Sequence, residues 1–186
     1  MPFGSLWLPV ILSAVAVWFI SAIVHMALPY HKADYKKLPD EDAARQALRT
    51  AGQNPGLYMM PFSSGPSAMK DPAMRKKFED GPNGLLILRR NGVPGMGAYL
   101  IQWLMLCLLV SFVTAYIARL TLHPGTDGLT VLRITATVAF AGYGFGYFQD
   151  SIWMGVPWSN CLRGVFDAVL YSLATGFIFK LLWPAA

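Results

Sequence analysis

The sequence predicts an all-α integral membrane protein: a bundle of four transmembrane helices with a partly helical first cytoplasmic loop. Of its 186 residues, 55% are hydrophobic and 13% are charged, whereas an average soluble domain carries about 25% charged residues. Four apolar stretches are long enough to cross a bilayer, and a polar, proline-rich segment separates the first from the second. At this length we expect a single membrane domain over residues 1–186.

The first predicted span covers about residues 7–28. It is apolar apart from Ser13, Ser21 and His25, and a helix of about 20 apolar residues crosses the hydrocarbon core. Pro29 is expected to end this span, because proline lacks the N–H that a continuing helix needs and restricts the residue before it.

Residues 29–95 form the predicted soluble loop, which is too rich in proline for one long helix. A proline followed by three acids at 39–42 is typical of a helix start, so a helix is predicted from there to Arg49. Asp71 as cap and Pro72 as first residue predict a second short helix, which should end near Gly81.

Two apolar stretches of the same loop carry weaker signals. Residues 57–62 are expected to lean on the membrane interface or on the bundle. Residues 85–88, between a glycine and two arginines, are predicted to form a short strand or an extended segment.

The remaining spans are predicted over about residues 96–120, 129–148 and 160–183. A run of turn formers at 122–128 separates the second span from the third, and such residues mark a short loop. A polar elbow at 149–159 separates the third span from the fourth.

Charge predicts the orientation. Lys and Arg number fifteen and Asp and Glu ten, for a net charge of +5, and eleven of the fifteen bases lie between residues 31 and 90. Because cytoplasmic loops are enriched in Lys and Arg, the first loop is expected in the cytoplasm and both termini in the periplasm. Tryptophans lie near the predicted span ends, as an aromatic belt requires: Trp7, Trp103, Trp153, Trp158 and Trp183. No nucleic-acid recognition motif accompanies the charge, so the lipid bilayer is the expected partner.

Small residues recur at intervals of four in the last two spans. The fourth span carries Gly164, Ala168, Ser172 and Gly176, and the third carries Gly142 and Gly146. Such spacing lets two backbones approach closely, so these helices are predicted to pack on each other. The alternative is that the glycines of the third span loosen that helix for a gate or leave room for a ligand.

Polar residues collect at the predicted cytoplasmic end and define a candidate polar pocket: His25, Gln102, Tyr143, Asp150, Arg163 and Asp167. Asp167 lies about 10 Å along its helix from Asn160, too deep to reach bulk water easily. It therefore needs a partner or stays protonated. Arg163 is the nearest candidate in sequence, and His25 and Tyr143 are candidates across helices.

Three interpretations of this pocket remain open. Asp167, Arg163 and Asp150 could form an internal ion-pair network that fixes the bundle. Asp167 and His25 could instead exchange protons in transport, since ionisable groups within membranes are candidates for function. Arg163 and the loop bases could also hold the anionic headgroup of a lipid.

A metal site is not expected, although His25, His31 and Asp34 are weak candidates. The two histidines are six residues apart with Pro29 between them, so they do not share a helical face. No zinc-protease or paired-cysteine motif completes a site. No dinucleotide, phosphate-loop or bis-histidine haem pattern is present either, and no cofactor is expected.

Four segments resemble those of a family of small bacterial four-helix inner-membrane proteins with no established function. They are Leu28-Pro29-Tyr30-His31, residues 37–41, residues 57–62 and the elbow residues 150–159. The resemblance implies the same architecture and a bacterial inner-membrane location. It implies no catalytic residue.

The function expected from the sequence is non-enzymatic: a structural or accessory membrane subunit that binds a partner or lipid through the polar pocket. The alternative is a small proton-linked carrier or channel that uses His25 and Asp167. A weaker alternative is an enzyme acting on lipid headgroups. Four spans are few for a complete transporter, so transport would need a homo-oligomer, and an accessory subunit would belong to a larger membrane complex.

Overall fold

The computed structural model describes residues 3–51 and 54–185. Within them, six α-helices and one small sheet follow each other in the order α1 (Trp7–Met26), α2 (Glu41–Thr50), β1 (Gly56–Met60), α3 (Pro72–Asp80), β2 (Gly84–Leu88), α4 (Met96–Thr121), α5 (Gly128–Trp153) and α6 (Trp158–Leu181). Four of the helices, α1, α4, α5 and α6, are long and apolar enough to cross a membrane. The predicted all-α membrane bundle is confirmed.

The chain divides into two compact units. The membrane unit comprises Met1–Asp34 and Gly95–Ala186, and the soluble unit comprises Tyr35–Pro94. The four long helices all belong to the membrane unit, together with a short 3₁₀ helix that follows α1, Pro29–Ala33.

In the membrane unit, the end of α1 lies beside the start of α4. The indole nitrogen of Trp18 donates to the carbonyl of Leu100 at 3.1 Å, and that of Trp103 donates to the Ser21 hydroxyl at 2.7 Å. These bonds pair two polar indole groups with acceptors on the neighbouring helix. They fix which ends of the two antiparallel helices meet.

The opposite end of the bundle is held by the turn between α4 and α5. The backbone N–H of Gly125 donates to the carbonyl of Pro184 at 2.9 Å, and the indole nitrogen of Trp183 donates to the carbonyl of His123 at 3.0 Å. Each bond joins a residue of this turn to a residue that follows α6. The turn and the end of α6 therefore lie together. The bundle therefore has two distinct ends. The α1–α4 and α5–α6 connections are at one end, and the α4–α5 turn is at the other.

The interior is filled mainly by small and medium side chains, in two clusters. One contains Ala14, Val17, Cys107, Val110, Ala139, Tyr143, Ala168 and Tyr171. The other contains Leu6, Val10, Ala115, Ala118, Leu122, Val131 and Phe179. Many larger apolar side chains of the same helices are exposed, for example Phe19, Met105 and Leu173. This distribution suits a bundle surrounded by lipid, where large apolar residues can face outward and small ones bring backbones together.

The small residues of α6 face α5 at close range. A Cβ added at Gly176 would lie 2.9 Å from the Cβ of Ala136 and 3.1 Å from the carbonyl oxygen of Leu132. The ring of Tyr147 covers Gly164 so closely that a Cβ there would overlap it, and Gly144 lies against Ala168. The predicted packing of the two helices on each other is therefore present.

The two α5 glycines predicted to contact α6 do not lie at the α5–α6 contact. Gly142 faces α4, where a Cβ would meet Val110 at 2.9 Å, and Gly146 has nothing within 4 Å. The α5 surface that meets α6 runs instead through Leu132, Ala136 and Gly144. A strict four-residue spacing drifts around a helix of 3.6 residues per turn, so sequence spacing alone does not say which glycine faces which neighbour.

The turn between α5 and α6 is shorter than the predicted elbow. Helix α5 continues to Trp153, and only residues 154–157 connect it to α6. Gly155, with φ of +71°, and Pro157 account for the break, because glycine tolerates this backbone region and proline suits a helix start. The polar residues 149–151, predicted to lie outside the span, are part of helix α5.

In the soluble unit, both predicted short helices are confirmed. The Asp40 side chain accepts from the N–H of Ala43 at 2.9 Å at the start of α2. Asp71 accepts from Ala73 at 2.9 Å at the start of α3, and Gly81, with φ of +63°, ends it. Unpaired N–H groups at a helix start favour such acceptors.

The sheet of the soluble unit pairs β1 with β2 in antiparallel register, with Leu57 opposite Ile87 and Met59 opposite Leu85. The extended segment predicted at 85–88 is confirmed as β2. Strand β1 was not predicted, because its stretch shows no alternation of polar and apolar residues and its partner lies far along the chain. The pairing itself makes it a strand.

Candidate functional site

The chain reverses direction just after α1, and this reversal brings two histidines together. Leu28 is extended, and Pro29 then begins the 3₁₀ helix Pro29–Ala33. The rings of His25 and His31 stack with their centroids 4.3 Å apart and an interplanar angle of 9°. From the sequence, the two histidines are not expected to share a helical face, because a proline lies between them. The same proline, by ending α1 and starting a tight turn, is what places one ring over the other.

Asp167 of α6 lies against this turn. Its side chain is 1% exposed, and its Oδ2 atom is 2.9 Å from His31 Nε2 and 4.0 Å from His25 Nε2. The Tyr30 hydroxyl donates a short hydrogen bond to its other oxygen, Oδ1. The buried carboxylate is thus surrounded by three side chains from the end of α1 and the turn after it.

A second acid, Asp34, holds the other side of His31. Its Oδ2 lies 2.6 Å from His31 Nδ1, and its Oδ1 accepts a hydrogen bond of 2.6 Å from Arg163 Nε. Asn160 reinforces the contact, donating from Nδ2 to the Asp34 carbonyl at 2.9 Å and accepting from Arg163 Nη2 at 2.8 Å. We call His25, Tyr30, His31, Asp34, Asn160, Arg163 and Asp167 the polar cluster.

Arg163 does not serve as the partner of Asp167, although the two are one helical turn apart. The structure places its guanidinium on Asp34, so the expected Arg163–Asp167 pair is corrected to Arg163–Asp34. The reason is that Asp34, just after the 3₁₀ helix, lies directly over the first turns of α6. Asp167, one turn deeper, meets Tyr30 and the histidines instead.

Burial and neighbours set the proton affinities of the two groups outside the spans. Burial alone would raise the pKa of Asp34, but the hydrogen bonds from His31 and Arg163 outweigh it and hold that pKa below its ordinary value. For Tyr30, burial, the hydrogen bond to Asp167 and the negative charge of that carboxylate all raise the pKa. Tyr30 therefore stays a hydroxyl donor, and Asp34 stays an ionised acceptor.

Hydrogen bonding assigns the proton position on both histidines. His25 Nδ1 lies 3.0 Å from the carbonyl oxygen of Ser21, and a carbonyl only accepts, so Nδ1 carries a proton. His31 Nδ1, facing the ionised Asp34, is assigned in the same way. In the neutral form of each ring the lone pair is then at Nε2, and both Nε2 atoms lie on the side of Asp167. In the protonated form, Nε2 of His31 would be a positively charged partner of Asp167 at 2.9 Å.

Two of these atoms have no hydrogen-bond partner among the described residues. His31 Nε2 and Asp167 Oδ2 are both buried and, although 2.9 Å apart, are not aligned for a hydrogen bond. Buried polar atoms are nearly always satisfied in folded proteins, and exceptions call for an explanation such as an ion. The site thus brings two histidine nitrogens and one carboxylate oxygen within 4.8 Å of one another.

The other predicted pocket residues lie elsewhere. Gln102 and Asp150 are exposed. Tyr143 is buried in the apolar interior, where its ring packs against those of Trp103 and Tyr171, with centroids 6.2 and 5.7 Å away. Of the six predicted pocket residues, the cluster contains His25, Arg163 and Asp167.

Two members of the polar cluster, Tyr30 and Asn160, are not among the predicted pocket residues. Their positions in the sequence, at the ends of two spans, indicate that they could belong to the site. Tyr30, His31 and Asp34 follow immediately on a span that ends at proline, and Asn160 and Arg163 start the span that carries Asp167. Polar groups clustered at the ends of two spans on the same side tend to meet when those spans pack together.

The chain matches no protein-family model, no curated protein and no solved structure. The fold and the site together define a class of protein. It has four membrane-spanning helices, with a buried carboxylate and two stacked histidines at one end of the bundle.

Proposed function

We propose that this protein is an accessory membrane subunit that binds a positively charged ligand through Asp167 and the adjoining histidines. In this proposal it lies in a bacterial inner membrane, within a larger assembly or homo-oligomer, with both termini periplasmic and the polar cluster at the cytoplasmic end. The observation that carries the proposal is the buried Asp167 carboxyl group, which lies against the Nε2 atoms of two histidines and is not paired with a lysine or arginine of the cluster.

A purely structural network explains this arrangement less well. A lock would pair Asp167 with Arg163, whereas Arg163 bonds Asp34 and Asn160. When both histidines are neutral, their Nε2 atoms and the Asp167 carboxylate are three acceptors close together, which repel unless a positive charge lies between them. A buried carboxylate without such compensation is costly. A cationic ligand supplies the missing charge.

An anionic ligand, such as the phosphate of a lipid headgroup, fits less well. Two nitrogens of the Arg163 guanidinium are already engaged by Asp34 and Asn160, and the remaining charge of the cluster is that of two carboxylates. An incoming phosphate would meet repulsion at Asp167 and competition at Arg163. These charges argue against the lipid-headgroup enzyme.

The first test replaces Asp167 with asparagine, which keeps the shape and removes the charge. We expect wild-type protein, purified in detergent from its native membranes, to retain a ligand or partner that Asp167→Asn loses, with the folded fraction unchanged by size-exclusion profile and circular dichroism. The matched control is Asp150→Asn, because Asp150 is an exposed acid outside the polar cluster. Equal retention by both variants would refute binding through Asp167.

The proton-linked carrier uses the same two residues, and the 4.0 Å approach of His25 to Asp167 is the observation in its favour. Reconstitution in liposomes separates the two functions. Proton-coupled uptake by the wild type that Asp167→Asn abolishes would replace the accessory-subunit proposal. Retention of a bound ligand without any flux agrees with it.

Orientation is tested by cysteine labelling at Lys36, an exposed residue of the soluble unit. Both native cysteines, Cys107 and Cys161, are buried, so background labelling is expected to be low. We expect Lys36→Cys to resist a membrane-impermeant maleimide in intact spheroplasts and to react after lysis. His123→Cys, at the other end of the bundle, should react in intact spheroplasts. The reverse pattern would overturn the proposed orientation.

A further inference from the structure

We propose that the ligand of the polar cluster is a divalent transition-metal ion, bound by His25 Nε2, His31 Nε2 and the carboxylate of Asp167. The inference rests on the proposed function, because it specifies the positively charged ligand. It reverses the sequence-based expectation in two respects. The two histidines do come together, and the acid that joins them is Asp167 rather than Asp34.

The distances suit such an ion. The three candidate ligand atoms all lie within 4.8 Å of one another, with His31 Nε2 and Asp167 Oδ2 2.9 Å apart. A metal ion with ligands at about 2.0–2.2 Å keeps neighbouring ligand atoms about 3.0–3.4 Å from each other. The 2.9 Å between His31 Nε2 and Asp167 Oδ2 is just below this range, so a small outward movement of one side chain would give the required spacing. His25, near the end of α1 and with a side chain 51% exposed, would have to rotate out of its parallel stack on His31 to direct its Nε2 lone pair at the same ion.

Each proposed ligand is held from behind by another group. His25 Nδ1 is bonded to the Ser21 carbonyl, and His31 Nδ1 to Asp34. Asp34 is fixed in turn by Arg163, and Asp167 Oδ1 accepts from Tyr30. Metal-binding histidines almost always donate their second ring N–H to a carbonyl or carboxylate, which fixes the tautomer and aims the lone pair at the metal. Both histidines show this arrangement.

Independent support comes from the two unsatisfied atoms. His31 Nε2 and Asp167 Oδ2 are buried and lack hydrogen-bond partners within the described part of the chain, and both are among the proposed ligands. A bound cation would satisfy them together, whereas a bound water could donate to both but leaves the carboxylate charge uncompensated. The unpaired atoms therefore point to a cation.

Ligand chemistry narrows the choice of ion. Imidazole nitrogens suit zinc, iron, copper and nickel, while magnesium and calcium prefer sites built of oxygen. Two histidines and one carboxylate are three protein ligands, which leaves at least one coordination position open. The exposed side of His25 gives an ion and an additional ligand a route from solvent.

The test measures metal directly on the full-length protein, purified without a polyhistidine tag. Elemental analysis of wild type from native membranes should find close to one transition-metal ion per chain. After stripping with a chelator, titration with Co²⁺ should give the visible absorption of a nitrogen- and oxygen-ligated ion. His31→Gln should lose both signals. Asp34→Asn, which leaves all three proposed ligands in place but weakens the support of His31 and the pairing with Arg163, should bind Co²⁺ about 10- to 100-fold more weakly.

His123→Gln is the matched control, because His123 is the third histidine and lies in the turn at the other end of the bundle. It should bind Co²⁺ like the wild type. If His31→Gln fails to fold, the metal content and the Co²⁺ spectrum of the wild type still test whether the protein binds a metal ion. Wild type without metal, and unable to bind Co²⁺, would overturn the metal site.

The outcomes separate this inference from the proposed function. Absence of metal together with another ligand that depends on Asp167 would reject the metal and keep the binding function. Absence of any ligand that depends on Asp167 would reject both. Equal Co²⁺ binding by wild type and all three variants would place the ion elsewhere and reject the proposed ligands.

Discussion

Replacing Gly176 with leucine should strongly destabilise the contact between α5 and α6. A Cβ at this position would already lie 2.9 Å from the Ala136 Cβ and 3.1 Å from the Leu132 carbonyl oxygen. Neither neighbour is the end of a flexible side chain, so the larger residue can fit only if the helices separate. Overpacking of this kind costs about 1–3 kcal/mol and occasionally more, and we expect a loss of about 3 kcal/mol or more for leucine.

Unfolding in mixed detergent and SDS micelles, followed by circular dichroism, measures this loss. The control is Gly146→Leu on α5, where nothing lies within 4 Å of an added Cβ and the residue is exposed. The control should stay close to wild type. Similar stability for the two variants would mean that α5 and α6 do not approach as closely as described.

The second large effect is expected from Phe179→Ala. Phe179 is 0% exposed and packs in the cluster that joins α6 to Val10, Ala118 and Val131. In water-soluble cores such a truncation costs about 3–5 kcal/mol. In a bilayer the separated helix still faces apolar lipid, so the transfer part falls away and the lost packing remains. We expect a loss on the order of 2–3 kcal/mol.

Phe177, two residues earlier on α6, provides the comparison. It is 50% exposed, so Phe177→Ala removes a side chain that largely faces lipid and opens no cavity. The same SDS titration should show a loss of less than about 1 kcal/mol. If the two variants lose equal stability, Phe179 is not the buried anchor of its helix.

Much of the fold could be predicted because its elements are determined locally. Long apolar runs predict spans by length alone, and cap residues such as Asp71 and Gly81 fix the ends of a short helix through groups a few residues apart. The elbow was predicted too long, because polarity was taken as a sign of loop. Residues 149–151 are helical and polar at once, as helix ends near a membrane surface can be. Strand β1 depends on a distant partner that no local pattern reveals.

The site was predictable only in part, for a similar reason. The sequence identified Asp167 as a buried acid in need of a partner and named His25 as one candidate. It could not show that the 3₁₀ turn after Pro29 folds back, because this depends on how α1 packs beside α6. Helical spacing favoured Arg163 as the partner of Asp167, and the turn supplied Asp34 as a competing acid in a better position.

The position of the soluble unit has a consequence for how such a protein can diversify. All members of the polar cluster precede Tyr35 or follow Pro94, the limits of the soluble unit. The cluster is thus assembled entirely by helices and a turn that would meet even if the segment between them were different. The length, charge and partner of the soluble unit can vary without changing any of the proposed ligands. The proposed ligands and the soluble unit therefore belong to separate parts of the sequence, and substitutions within the soluble unit leave the proposed ligands unchanged.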